Sequence, residues 1–96
     1  MHARMTTLVG STSEAEAGTA DFRDNVLPWV KEHGGRGGIL LLDRESGRAV
    51  AITVWNDEEQ MRQSEEEAAE HRQRVSTEMD SEAPIVERYE VVVLDV

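Results

Sequence analysis

Cysteine is absent from this chain. That excludes a disulfide scaffold, a thiolate zinc site and a cysteine nucleophile. Basic residues are scarce: Lys and Arg number 10 against 20 Asp and Glu, for a formal charge of -10. A nucleic-acid interface needs a basic footprint and none is present, and an anionic membrane surface is disfavoured for the same reason. The acidity itself reads as solubility. Long apolar runs are missing too, with nothing near the roughly 20 residues of a membrane span. The first nine residues lack the apolar core of a signal peptide, so a cytoplasmic protein is the expectation. Aromatic residues make up only 4 % of the chain, although 39 % is hydrophobic. A chain of 96 residues is expected to be a single domain, 1–96, with a small core. It hides only a little over ~60 % of its unfolded surface, so it gains much by burying a face against a partner.

Residues 37–55 are the most informative stretch. They read Gly-Gly-Ile-Leu-Leu-Leu-Asp, Arg-Glu-Ser-Gly-Arg, Ala-Val-Ala-Ile-Thr-Val-Trp. Two apolar, branched runs flank a polar turn with a glycine, which is a hairpin signal. Neither run alternates, so both faces need cover. A four-residue loop, Arg44 to Gly47, puts Asp43 opposite Arg48. Gly38, Leu40 and Leu42 then share a face with Ala49, Ala51, Thr53 and Trp55. Ile39 and Leu41 share the other with Val50, Ile52 and Val54. One face is bulky throughout, and the other alternates large residues with small ones.

The flanking segments complete the pattern. Residues 2–9 read as a strand, with His2, Arg4, Thr6 and Leu8 on one face. Residues 10–13 are a break. Residues 14–33 read as a helix whose buried stripe is Phe22, Val26, Trp29, Val30 and His33. Ser13 with Glu16 resembles a capping box, and Thr19 is a second candidate N-cap. Pro28 should kink this helix or start a second short one, and Gly34-Gly35 end it. Residues 56–79 read as a second helix, capped by Asn56 or Asp57. Its thin inner face is Met61, Ser64, Ala68, His71, Val75 and Met79. Residues 80–84 are a loop and residues 85–96 a last strand.

The order is βαββαβ, an α+β, ferredoxin-like subunit with an antiparallel sheet. Crossover handedness places both helices on one face of that sheet. The bulky face of the hairpin is then left open. At ~25 cal/mol per Å2, a few hundred Å2 of wet apolar surface forgoes about 10 kcal/mol, comparable with the whole stability of a small domain. A homodimer packed sheet to sheet about a two-fold axis is expected.

These features resemble the antibiotic biosynthesis monooxygenase-like family of dimeric α+β barrels. The resemblance covers most of the chain. It rests on Gly37-Gly38 before an apolar strand, the turn from Asp43 to Gly47, Ile52-Thr53-Val54-Trp55 entering an acidic helix start at residues 56–59, and the valine-rich last strand. It implies a small-molecule cavity between sheet and helices. Members include cofactor-independent oxygenases of polycyclic phenols, quinol oxygenases, haem-degrading enzymes and proteins with no assigned activity. The haem-degrading branch carries an asparagine on the first strand, and a tryptophan and a histidine on the second helix. This chain has Thr6 and Thr7 in that strand and no tryptophan in residues 56–79, with His71 as the single match. Haem degradation is therefore not expected.

Two classes of function follow. One is a cofactor-independent monooxygenase acting on an aromatic phenol or quinol. The other is a non-catalytic small-molecule-binding or interaction protein on the same fold. In the first, His71 is the candidate catalytic base, because its unperturbed pKa suits neutral pH. Otherwise it is a boundary residue with its ring edge in water. Thr53, Trp55 and Ser64 are the candidate ligand-binding residues, lining a cavity with His71. For Trp55 the alternative is plain core, filling space beside Ala49 and Ala51, and Trp29 has the same two readings. Arg4 is either a cavity cation for an anionic ligand or, as favoured in so acidic a protein, an intersubunit salt-bridge partner. Glu67 and His71, four apart, are too few ligands for a metal, so no metal site and no cofactor are expected. The glycines at 34–38 follow a helix and precede a strand, the reverse of a phosphate-cradling loop.

Overall fold

The structure, a computed structural model, describes residues 1–9, 15–78 and 84–96. The break at 10–13, the Ser13 cap, Met79 and residues 80–83 of the expected loop lie outside the described residues. The elements are β1 (His2–Val9), α1 (Ala15–Asp21), a π-helical turn (Phe22–Val26), α2 (Leu27–Glu32), β2 (Gly35–Asp43), β3 (Arg48–Trp55), α3 (Glu58–Gln63), α4 (Glu65–Glu78) and β4 (Ile85–Glu90). The sheet is antiparallel in the order β2-β3-β1-β4. This is the ferredoxin-like arrangement that the order of elements demands.

The hairpin sets the frame. Asp43 pairs with Arg48, and Leu40, Leu42 and Gly38 stand opposite Ala51, Ala49 and Thr53. Gly47 closes the turn at φ 76° and donates to the Asp43 carbonyl at 2.9 Å. A side chain is strained at that φ. The Asp43 carboxylate accepts from Glu45 N at 3.0 Å. That bond, with others to Ser46, holds its carboxyl below the usual range. Gly38 is required for a different reason: a Cβ there would stand 2.3 Å from the Ile52 carbonyl oxygen and 3.2 Å from the Phe22 ring.

The first helix does not run uniformly. It widens into the π turn at Phe22–Val26, where Leu27 N–H reaches back to the Phe22 carbonyl. Pro28 follows at the start of α2. Proline has no N–H to give and its ring crowds the carbonyl four residues back, so the wider turn absorbs what would otherwise be a kink. Thr19 lies inside α1 and caps nothing; its hydroxyl donates to the Ala15 carbonyl at 2.9 Å.

The second helix is divided in two. Asp57 is its N-cap, accepting from Gln60 N at 2.8 Å. The break falls at Ser64, which lies between α3 and α4. The Met61 carbonyl there accepts from Arg4 Nη2 at 2.6 Å and from the Ser64 hydroxyl at 2.7 Å. A carbonyl taken by side chains is drawn out of the helical ladder, which interrupts it. The last strand is shorter than its valine pattern suggests. β4 ends at Glu90, opposite His2, and Val91 N adds one more bond to the Met1 carbonyl at 2.9 Å. Beyond that point no strand among the described residues runs alongside, and residues 92–96 are exposed.

The core is small. Val30, Trp55 and Met61 form its centre, with Val26 and Trp29 packed against it. Trp29 meets Trp55 edge to face with centroids 5.9 Å apart. The opposite face of the sheet stays open, and Ile39, Leu41, Ile85 and Tyr89 on it are 42–61 % exposed.

Candidate functional site

A cleft of about 890 Å3 lies between the sheet and the helices. Its floor is the small-residue face of the sheet: Arg4, Thr6 and Leu8 of β1, Leu40 and Leu42 of β2, and Ala49, Ala51 and Thr53 of β3. One wall comes from Thr19, Phe22, Val26 and Trp29, the other from Ala68, His71, Arg72 and Val75 of α4. Alanine and threonine on the sheet beneath an α4 face of Ala68 and Val75 do not reach across the gap, so the layers stay apart. Close packing elsewhere in protein interiors makes such a gap notable.

His71 stands on the cleft wall. Its Nε2 lies 2.9 Å from Asp21 Oδ2, and Arg74 Nη2 donates to its Nδ1 at 3.1 Å. Only one neutral tautomer fits both partners, with the proton on Nε2 and the lone pair on Nδ1. Asp21 is held in turn by Asn25, whose amide donates to Oδ1 at 3.0 Å. The ring and the carboxylate are each about a quarter exposed, at 26 % for His71 and 27 % for Asp21. A second tie crosses the helices at Glu67, whose Oε2 accepts from Trp29 Nε1 at 2.7 Å and lies 3.4 Å from His33 Nε2.

At one end the floor is cationic. Arg4 is 3 % exposed and spends its Nη2 on the Met61 carbonyl, on Ser64 Oγ at 3.0 Å and on Glu65 Oε2 at 3.0 Å. Its guanidinium lies 5.5 Å from the Trp55 ring centroid, a cation–π distance. The Glu65 carboxylate is shared further with Arg72, at 3.0 Å, and with Arg88. Burial pushes the Glu65 carboxyl up, but Arg88, Arg4 and Arg72 together outweigh it and hold it below its ordinary value. Burial also lowers the Arg4 pKa, with Glu65 opposing. Arg4 thus makes an ion pair within the chain, with Glu65.

The expected site residues divide into two pairs. Thr53 and His71 line the cleft. Trp55 is fully buried in the core, where its indole donates to Thr53 Oγ1 at 3.0 Å. Ser64 is 3 % exposed and serves the break between α3 and α4. Neither Trp55 nor Ser64 is among the cleft's lining. Asp21 and Arg72 were not singled out from the sequence. Their partners are 50 and 7 residues away, respectively, and no local spacing announces the first. Among the described residues, no group of three or more His, Cys, Asp or Glu side chains is placed to hold a metal. No helix among them is long and apolar enough to cross a membrane.

No family model matches the chain. Two uncharacterized proteins of Mycobacterium tuberculosis, Rv2557 and Rv2558, are 35 % and 36 % identical to it over 95 residues, 98 % of this chain. The chain spans about two-fifths of the length of these curated relatives, 42 % and 40 %. Among solved structures, a candidate antibiotic biosynthesis monooxygenase from Deinococcus radiodurans superposes with a TM-score of 0.73 at 13 % identity, covering 100 % of this chain and 98 % of that one. The ActVA-Orf6 monooxygenase of Streptomyces coelicolor, solved with the ligand nanaomycin D, gives 0.74 at 14 % identity, covering 99 % and 92 %. A dimeric ferredoxin-like protein from an uncultured marine organism gives 0.71 at 12 %, covering 99 % and 97 %. The chain has the antibiotic biosynthesis monooxygenase-like fold.

Proposed function

We propose that the chain is a homodimer-forming subunit whose cleft binds a small aromatic phenol or quinol and oxygenates it to a quinone without a cofactor. The observation that carries this reading is the cleft itself: about 890 Å3 over a floor of small side chains, with the His71–Asp21 pair on its wall. Asp21 fixes the Nε2 proton and so turns the Nδ1 lone pair into the base. Arg74, which is exposed, moves aside for the substrate hydroxyl. His71 takes the phenolic proton. The phenolate then passes an electron to dioxygen, the radical pair forms a carbon–oxygen bond, and the O–O bond breaks with loss of water. One substrate and one dioxygen thus become one quinone and one water, and every electron comes from the substrate. Phe22, Val26, Trp29, Ala68 and Val75 give the cleft an apolar lining beside His71.

Oxygen uptake with 1-naphthol and with tricyclic phenols tests this. His71→Ala is expected to slow turnover by about 100-fold or more, the range for a lost general base. Saturable quenching of Trp29 fluorescence without oxygen uptake selects the non-catalytic binding reading instead. That second reading draws support from the engagement of both His71 ring nitrogens in the structure.

A further inference from the structure

The buried arginine on the cleft floor has a donor to spare. Arg4 is 3 % exposed, yet its Nε–H is buried with no hydrogen-bond partner among the described residues. Among the described residues, the bonds it makes run from Nη2, toward Met61, Ser64 and Glu65. An unpaired buried donor on a charged group is costly to keep, and a native fold retains few of them. Thr53, the β3 residue directly paired with Arg4 in the sheet, is the second donor. Its oxygen accepts from the Trp55 indole, which leaves its own proton to give. Arg4 and Thr53 both line the cleft. At the Arg4 end the local charge is positive, because Arg4, Arg72 and Arg88 share the single carboxylate of Glu65. Of the acids lining the cleft, Asp21 and Glu67 are committed to His71 and to Trp29 with His33, and Glu70 is exposed on α4.

We propose that the cleft is built for an aromatic acid, whose carboxylate docks on Arg4 Nε–H and the Thr53 hydroxyl while its rings lie toward Trp29. This rests on the reading of the cleft as a small-molecule site and adds the chemical class of its ligand. Two donors on adjacent strands suit the two oxygens of a carboxylate, and an arginine gives such an anion a charge-assisted bond that a neutral hydroxyl does not receive.

Calorimetric titration with 2-naphthoate and with 2-naphthalenemethanol, matched except for the acid, tests this. The wild-type protein is expected to bind the acid at least about tenfold more tightly, the usual gain from a hydrogen bond to a charged group. Arg4→Met removes that preference and leaves binding of the alcohol. Arg4→Lys keeps a cation for Glu65 but lacks the fork, and reduces the preference to about threefold or less. If Arg4→Met does not fold, Arg4→Lys and Thr53→Val carry the comparison, each checked by circular dichroism. Equal binding of acid and alcohol by the wild type overturns the carboxylate site and leaves the cleft reading standing. A preference undiminished in the Arg4 variants also overturns it, because the anion then sits elsewhere. Binding of neither compound overturns the cleft reading and this inference together.

Discussion

Glu65 shows how a single residue can organise a neighbourhood. It is one carboxylate among three guanidiniums, and one of these, Arg4, is almost wholly buried. Replacing it by glutamine leaves Arg4 without its counter-charge. Glu65→Gln is therefore expected to destabilise the fold by about 2 kcal/mol, discounted from a fully buried pair because Glu65 keeps some exposure. The pH dependence has a definite sign. The folded carboxyl sits below its ordinary value of 4.5. A depressed carboxyl stabilises the fold above its unfolded pKa, and that stabilisation is lost as pH falls through the folded value. Urea melts between about pH 6 and 3 should thus show a steeper acid loss in wild type than in Glu65→Gln. Parallel slopes would remove Glu65 as a contributor. None of this was legible in the sequence. Arg4 read as a cavity cation or an intersubunit salt-bridge partner, and no local spacing ties it to Glu65. The link runs between Arg4 and residues 57 and 60 positions away.

At the scale of elements, legibility follows the range of the forces. The hairpin register was readable because a loop length and two apolar runs determine it locally. The Asp57 cap was readable for the same reason, since its bond spans three residues. Asp57→Ala should cost about 1 kcal/mol, read from thermal melts. The break at Ser64 was not readable, because Arg4 on β1 captures the Met61 carbonyl. Periodicity from 56 to 79 gives one helix, and a distant guanidinium makes two. The π turn is intermediate: Pro28 announced a disturbance but not its form. β4 ends at Glu90, opposite His2 of β1, short of what its valines suggest. Gly38 shows how tightly the sheet meets the first helical segments. Gly38→Ala pushes a methyl group against the Ile52 carbonyl and the Phe22 ring. Overpacking of this kind should destabilise by about 1–3 kcal/mol. A melting temperature equal to wild type would mean that the strand shifts freely.

For the whole molecule, the two sheet faces have opposite fates. The small-residue face lies under the helices and holds the cleft. The bulky face presents Ile39, Leu41, Ile85 and Tyr89 to solvent, and Val92 and Val93 beyond β4 are 81 % and 82 % exposed. A stable dimer needs roughly 1,200–2,000 Å2 of total buried surface, and a four-stranded face with an apolar extension is of suitable size. Self-association through this face also brings two acidic subunits together, so the apolar gain has to exceed a charge repulsion that salt will screen. Sedimentation velocity at micromolar concentration should therefore give a dimer mass, held more tightly at high salt than at low. Leu41→Glu places a charge on the bulky face, on its edge strand β2, where Leu41 is already 51 % exposed within one chain. The variant should fold with little change in the monomer and yet sediment as a monomer. Removing residues 91–96, which among the described residues make one backbone bond to the sheet, from Val91 to Met1, should weaken association without unfolding the subunit. A wild-type monomer at these concentrations, or a Leu41→Glu protein that remains dimeric, would show that the open face is not where two copies meet.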